Sequence, residues 1–187
     1  MCYYIYVGNK HGVEKMMTEN IAQAVEFATQ AHEGQVRKYT GEPYITHPLA
    51  VADIVRTVDG HTEEMIVAAI LHDTVEDCDV TIQDIELNFG DDVAFLVHHL
   101  TEISAGSGAI RAIRKAMDAE HYAQGDWRSQ TIKIADLIHN TGSIKKHAPG
   151  FWKIYRVEKQ NILEMLTDAD SRLVAKAHKA IQETDNG

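Results

Sequence analysis

Ala68-Ala69-Ile70-Leu71-His72-Asp73-Thr74-Val75-Glu76-Asp77 carries an apolar segment straight into polar groups, four of which bind metal or move protons. A buried helix end decorated this way is costly unless its polar groups have partners, because unpaired buried charge carries a large desolvation penalty. A divalent cation is the simplest partner that satisfies them together.

Outward from that stretch, helical periodicity dominates. Ile21, Ala24, Val25, Ala28 and Ala31 recur mostly at spacings of three and four, one apolar face of a helix, with Thr18 placed to cap it. A basic, turn-rich loop follows from Gly34 to Pro43. Pro48 suits a helix start, and that helix runs through Leu49, Ala52, Val55 and Val58 toward Gly60. Thr62 caps the next helix without a capping box, since Met65 stands where a Glu or Gln would have to be. That helix ends around Leu71 to Val75. Shorter helices are expected from Thr81 to Gly90, about Asp91 to Thr101, Ala109 to Ala123, Trp127 to Asn140, 151–167 and 169–183. The expected fold is all-α, one domain of about eight or nine helices over residues 18–187. Residues 1–17 stand apart: Cys2-Tyr3-Tyr4-Ile5-Tyr6-Val7 is β-prone without a second strand to pair with. They read as an extension, disordered, docked or oligomer-forming, so a homo-oligomer stays open.

Composition narrows the function classes. The chain has 187 residues, 44% of them hydrophobic, enough for one sizeable core. Its formal net charge of -10 argues against sequence-independent nucleic-acid binding, which needs Lys and Arg to neutralise phosphates. Cys2 and Cys78 are too few and too far apart for a zinc site or a disulfide framework. No secretory signal and no apolar run near the roughly 20 residues of a membrane span is present. A reducing, cytoplasmic setting and no membrane partner are expected.

Four candidate ligands stand out: His47, His72, Asp73 and Asp136. Asp136 lies in the apolar helical run Ile132 to Ile138, where a carboxylate needs a cation or hydrogen-bond donors. Two imidazoles and two carboxylates form a mixed N/O set that suits manganese, iron or zinc better than calcium. Each residue alone reads equally as a cap or a satisfied core group. Glu76 and Asp77 lie four residues beyond His72 and Asp73 and share their face if the helix continues. One of them can take a proton from an attacking water and return it to a leaving oxygen. The plainer alternative is a solvated acidic helix end, mildly opposed by the helix dipole. Basic residues gather at Arg37-Lys38, Arg111, Arg114-Lys115 and Lys145-Lys146, a local patch for phosphate or ordinary solvated faces. Tyr39 and Tyr44 stack on a base or simply pack. Asn140 shares a face with Asp136 and reads as a ribose or phosphate contact, or as a helix cap.

These residues resemble the HD superfamily of metal-dependent phosphohydrolases, whose pattern is H…HD…D. More closely, the chain resembles the hydrolase domain of RelA/SpoT homologues, and most of all the stand-alone small alarmone hydrolases of the metazoan SpoT homologue type. The segments that carry the likeness are Ala31 to Lys38, Gly41 to Pro48, His72 to Asp77 and Ile132 to Thr141. The resemblance implies removal of the 3′-pyrophosphate from (p)ppGpp, a guanosine polyphosphate, giving GDP or GTP and pyrophosphate, with Mn²⁺. It implies His47, His72, Asp73 and Asp136 as metal ligands and Glu76 and Asp77 as the groups that activate water. Arg37, Lys38 and Asn140 would then face the nucleotide, as would the basic pair Arg114-Lys115. The family's synthetase domain has no counterpart here, so a hydrolase-only protein is expected. Rival readings keep the site but change the substrate to NADPH or a deoxynucleotide, or keep the fold as a non-catalytic nucleotide binder.

Overall fold

A computed structural model describes residues 18–182. The extension assigned to residues 1–17 lies outside them. Ten helices follow in order: α1 Glu19–Ala31, α2 Thr46–Val55, α3 Glu63–Leu71, α4 Thr74–Asp77, α5 Ile82–Phe89, α6 Asp91–His98, α7 Arg111–Ala123, α8 Trp127–His147, α9 Pro149–Met165 and α10 Ser171–Gln182. The all-α expectation holds, with one more element than expected because α4 is a single turn. Among the described residues the β-like pairing is one antiparallel bridge between Val36 and Pro43.

Two helices are buried almost all round and organise the rest. In α3 every residue from Met65 to Leu71 is buried, and in α8 every residue from Ser129 to Leu137. A helix apolar on all faces belongs inside a core. Burial of each large side chain in α3 contributes about 1.5–3 kcal/mol. Helices α1, α2, α6 and α8 pack around α3, while α2, α9 and α10 pack on α8. The C-terminal end of α3, the N-terminal end of α2 and the middle of α8 therefore meet.

Local chemistry explains the starts of the helices. Thr18 Oγ1 accepts from Ile21 N, and Thr62 Oγ1 accepts from Met65 N with no reciprocal box. Thr81 and Asp84 form a full capping box. Helix α3 stops at Leu71, within the expected range, and His72 and Asp73 form a turn before α4 begins. Two boundaries differ from expectation. Helix α2 ends at Val55, short of Gly60. Helix α8 runs on through Gly142 to His147. Glycine there costs about 1 kcal/mol relative to alanine. The buried Thr141, whose hydroxyl donates to Leu137 O, and the packing on α9 keep the helix intact past it.

Gln130 and Thr131, polar residues buried in α8, are tethers. Gln130 Nε2 donates to Gly125 O at 3.0 Å, and its Oε1 accepts from Asp168 N at 2.9 Å. Thr131 Oγ1 accepts from Asp170 N at 2.9 Å. Together they fix the segment that leads into α10.

Asp118 is the main tether of the loop between α6 and α7. It is fully buried, and its carboxylate accepts from Ile103 N, Ser104 N and Ser104 Oγ at 3.1, 3.0 and 2.9 Å. Asp118→Ala leaves three donors unpaired and is expected to destabilise the fold by about 3 kcal/mol. Urea unfolding with a midpoint within error of wild type would refute that anchoring role.

Candidate active site

The site lies where α2, the α3–α4 turn and α8 meet. His47 stands in the first turn of α2, His72 and Asp73 form the break after α3, and Asp136 sits mid-α8. His47 and His72 are each 1% exposed and Asp136 is 7% exposed, so these groups must satisfy one another or a guest. His47 Nε2 lies 3.4 Å from Asp73 Oδ2 and 3.2 Å from Asp136 Oδ1. His72 Nε2 lies 3.1 Å from Asp73 Oδ1 and 3.9 Å from Asp136 Oδ1. Among the described residues, His47, His72 and Asp73 offer ligand atoms all within 4.8 Å of one another. Asp136 Oδ1 reaches both imidazoles but stands outside that mutual set.

The donor set fits a divalent cation. His72 Nδ1 lies 2.8 Å from Ala69 O, a carbonyl that can only accept, so Nδ1 carries the proton and Nε2 faces the carboxylates. That Nε2 is buried and makes no hydrogen bond. An orphaned imidazole nitrogen beside two carboxylates is what an N/O metal site requires.

Electrostatics point the same way. Burial opposes a charged His72, yet the Asp73 carboxylate outweighs it and the imidazole is pushed up to about 9. Burial likewise opposes ionised Asp73, but His72 and His47 hold its carboxyl well below the usual range. Asp136 is also held low against burial, chiefly by Lys133. The carboxylates are thus charged at neutral pH, and a proton on His72 occupies the place a cation would take.

The partners of this centre set its orientation. Tyr44 Oη lies 2.7 Å from Asp73 Oδ2 and 3.0 Å from Asp77 Oδ2 and donates its proton to one of them at a time. The Tyr44 ring stacks on His32 at 4.5 Å. Asn140 Nδ2 donates to Asp136 Oδ1 at 2.6 Å, and Asn140 Oδ1 accepts from Arg37 Nη2 at 2.7 Å. Lys133 Nζ lies 3.5 Å from Asp136 Oδ2, 3.3 Å from Leu100 O and 4.4 Å from the centre of the Tyr122 ring. His47 Nδ1 lies 2.7 Å from His139 Nδ1, the two rings meeting edge to edge with centroids 4.9 Å apart.

Glu76 and Asp77 lie on α4, beyond the break, so their approach to the site is set by a turn and not by a continuous helix face. Glu76 Oε2 accepts from Glu102 N at 3.2 Å. Burial pushes the Glu76 carboxyl up to about 7; Lys133 opposes this, while Glu102 and Asp73 add to it. Burial and Asp73 also raise Asp77, against the Tyr44 hydrogen bond.

Arg37 is delivered by a tight loop. Arg37 N donates to Glu42 O, Gly41 N donates to Arg37 O, and Val36 pairs with Pro43. Gly41 turns the chain at φ 73°, a left-handed conformation that favours glycine. Arg37, Thr40, Glu42, Thr46, His139 and Ser143 line a cleft of about 370 Å³ beside the buried donors. Arg37 and Asn140 thus reach the centre, whereas Lys38 is exposed and lies over the Tyr39 ring. Arg114 and Lys115 stand on α7. Lys115 pairs with Glu102 and with Asp118 at 3.7 Å, and Arg114 Nε is buried without a partner. Arg111 is committed to Glu158.

A model of the HD domain family matches residues 24–170, and these include every residue of the centre. The chain belongs to the HD domain family. It is 36% identical over 140 residues to the guanosine-3′,5′-bis(diphosphate) 3′-pyrophosphohydrolase MESH1 of Xenopus tropicalis, covering 74% of this chain and 76% of that protein. The human MESH1 is 35% identical over the same shares. An Aquifex aeolicus guanosine-3′,5′-bis(diphosphate) 3′-pyrophosphohydrolase is 41% identical over 132 residues, a region that is 18% of that longer protein. Among solved structures, a metazoan ortholog of SpoT that hydrolyzes ppGpp superposes with a TM-score of 0.78 at 26% identity, covering 90% of this chain and 97% of that one.

Within this HD domain, sequence reasoning missed Tyr44 as a partner of the carboxylates, and it gave His139 and Lys133 no role. A polar residue inside an otherwise apolar helical run was the available signal for Lys133. No comparable signal marks His139, because its partner is 92 positions away.

Proposed function

We propose that this chain hydrolyses the 3′-pyrophosphate of (p)ppGpp, giving GDP or GTP and pyrophosphate. A divalent cation, Mn²⁺ in our reading, would be held by His47, His72, Asp73 and Asp136. The observation that carries this reading is the orphaned His72 Nε2 among two carboxylates, with Glu76 on the adjoining turn. When bound, the cation would supply Lewis acidity that stabilises charge developing on phosphoryl oxygens. The likeness to MESH1 supports the choice of substrate.

The chain's own residues do the rest. Glu76 takes a proton from a water that attacks the phosphorus bonded to the 3′ oxygen. A new P–O bond forms, the bond from phosphorus to the 3′ oxygen breaks, and Glu76 returns the proton to that oxygen. Arg37, fixed by Asn140, neutralises phosphate charge that the carboxylates would repel. The buried cation Lys133 is kept charged by Tyr122, Asp136 and Glu76 despite burial, and it offsets the negative charge of the centre. Lys38, exposed beside Tyr39, and Arg114 and Lys115 on α7 are the further basic residues this reading assigns to the nucleotide's phosphates. Among the described residues no helix is long and apolar enough to cross a membrane. A cytoplasmic setting agrees with the small number of cysteines, two in the chain.

Incubation with ppGpp and Mn²⁺ is expected to release pyrophosphate, and chelator is expected to stop it. No pyrophosphate from a Mn²⁺-loaded, folded protein would overturn the proposal. Orthophosphate from NADPH in the same panel would reassign the substrate.

A further inference from the structure

Building on the cation site proposed above, the geometry points to a task for His139. His47 and His72 are both candidate ligands through Nε2, and each needs a proton on Nδ1 to leave Nε2 bare. For His72 the requirement is met by Ala69 O, which cannot donate. For His47 the neighbour at Nδ1 is another imidazole nitrogen, His139 Nδ1 at 2.7 Å. A neutral imidazole carries one N–H and one bare nitrogen, so a single proton lies between the two rings and either can own it.

The two arrangements differ at both ends of the pair. If His139 owns the shared proton, His47 carries its own on Nε2 and points N–H at Asp73 Oδ2 and Asp136 Oδ1, 3.4 and 3.2 Å away. That form suits a centre without a cation. If His47 owns the shared proton, its Nε2 is bare and available. His139 must then carry its proton on Nε2, the ring's remaining polar atom, and His139 is a wall of the cleft with Arg37, Thr40, Glu42, Thr46 and Ser143.

We propose that His139 is a positioning residue: by accepting from His47 Nδ1–H it holds His47 in the metal-binding tautomer and turns its own Nε2 into a donor facing the cleft. Cation occupancy and the polarity of the cleft wall are thereby linked through one proton. A phosphate or hydroxyl oxygen in the cleft meets an N–H when the cation is bound and a bare nitrogen when it is not. By reciprocity, an acceptor held at His139 Nε2 favours the cation-binding form. The ring centroids lie 4.9 Å apart with planes 30° apart, so the rings meet edge to edge with both Nδ1 atoms between them, the arrangement an in-plane N–H···N bond needs.

The test measures Mn²⁺ binding without nucleotide, by the EPR signal of free Mn²⁺, for wild type, His139→Phe and His139→Asn. Phenylalanine keeps an aromatic ring at the position but cannot accept, so affinity is expected to fall at least about 10-fold, the range seen when a partner of a metal-bound histidine is lost. The asparagine carbonyl can accept, so His139→Asn is expected to stay within about threefold of wild type. Undiminished binding by His139→Phe would overturn the proposal. Should His139→Phe not fold, imidazole ¹⁵N spectra of Zn²⁺-loaded wild type decide the matter. His139 bare at Nδ1 and protonated at Nε2 supports it, and a proton on Nδ1 refutes it. Wild type that binds no Mn²⁺ would instead defeat the site reading itself.

Discussion

Asp73→Ala is expected to lower kcat/KM for pyrophosphate release from ppGpp by at least about 10³-fold at saturating Mn²⁺, equivalent to about 4 kcal/mol of transition-state stabilisation. Asp73 touches both candidate imidazole ligands and Tyr44. Its Oδ1 faces His72, and its Oδ2 faces His47 and accepts from Tyr44. Its charge is also what raises His72 against the cost of burial. Without it the centre loses a ligand and the orientation of Tyr44 together, and Mn²⁺ affinity should fall in parallel. The cation-free fold is expected to survive, because the helices around the site are held by α3 and α8 cores that Asp73 does not join. A folded Asp73→Ala protein that still turns over ppGpp in Mn²⁺ would remove the metal-centred reading.

Glu76→Gln is the second large effect, with kcat expected to fall by about 10²–10⁴-fold while Mn²⁺ affinity stays within a few-fold. The amide keeps an oxygen for the Glu102 N–H, so the α4 geometry is preserved and the change isolates proton transfer. The same group sets a pH limb. Burial raises its carboxyl to about 7 before any cation binds. A base must be ionised, so kcat falls as pH drops through the pKa of this carboxyl in the substrate complex, which a bound cation lowers and the nucleotide's phosphates raise. In Glu76→Gln that limb should vanish. Retained activity in Glu76→Gln with collapse in Asp77→Asn would transfer the role to Asp77, whose carboxylate is the one near Tyr44.

Much of the fold was legible because its causes are local. Thr18, Thr62 and Thr81 are caps that act over three residues, and the apolar spacing of α1 is its buried face. The end of α8 was misplaced because tertiary packing outweighed a local signal: the helix continues past Gly142 with Thr141 buried. The end of α3 at Leu71 falls where expected, but the short helix α4 that resumes at Thr74 was not foreseen. The turn at His72 and Asp73 matters for function. It detaches Glu76 from the helix face on which periodicity placed it.

The chain's residue order determined the helices, the apolar core of α3 and α8, and the four metal-ligand candidates. Three of those, His47, His72 and Asp73, come together in mutual reach, and Asp136 approaches from α8. Tertiary structure alone decided how these donors are supported. Arg37 reaches Asn140 across 103 positions, and His139 reaches His47 across 92. Such contacts leave no periodic trace, since a hydrogen bond depends on a separation of about 3 Å in space and on which atom holds the proton. Periodicity reports which face of a helix is buried; it carries no record of what lies against that face.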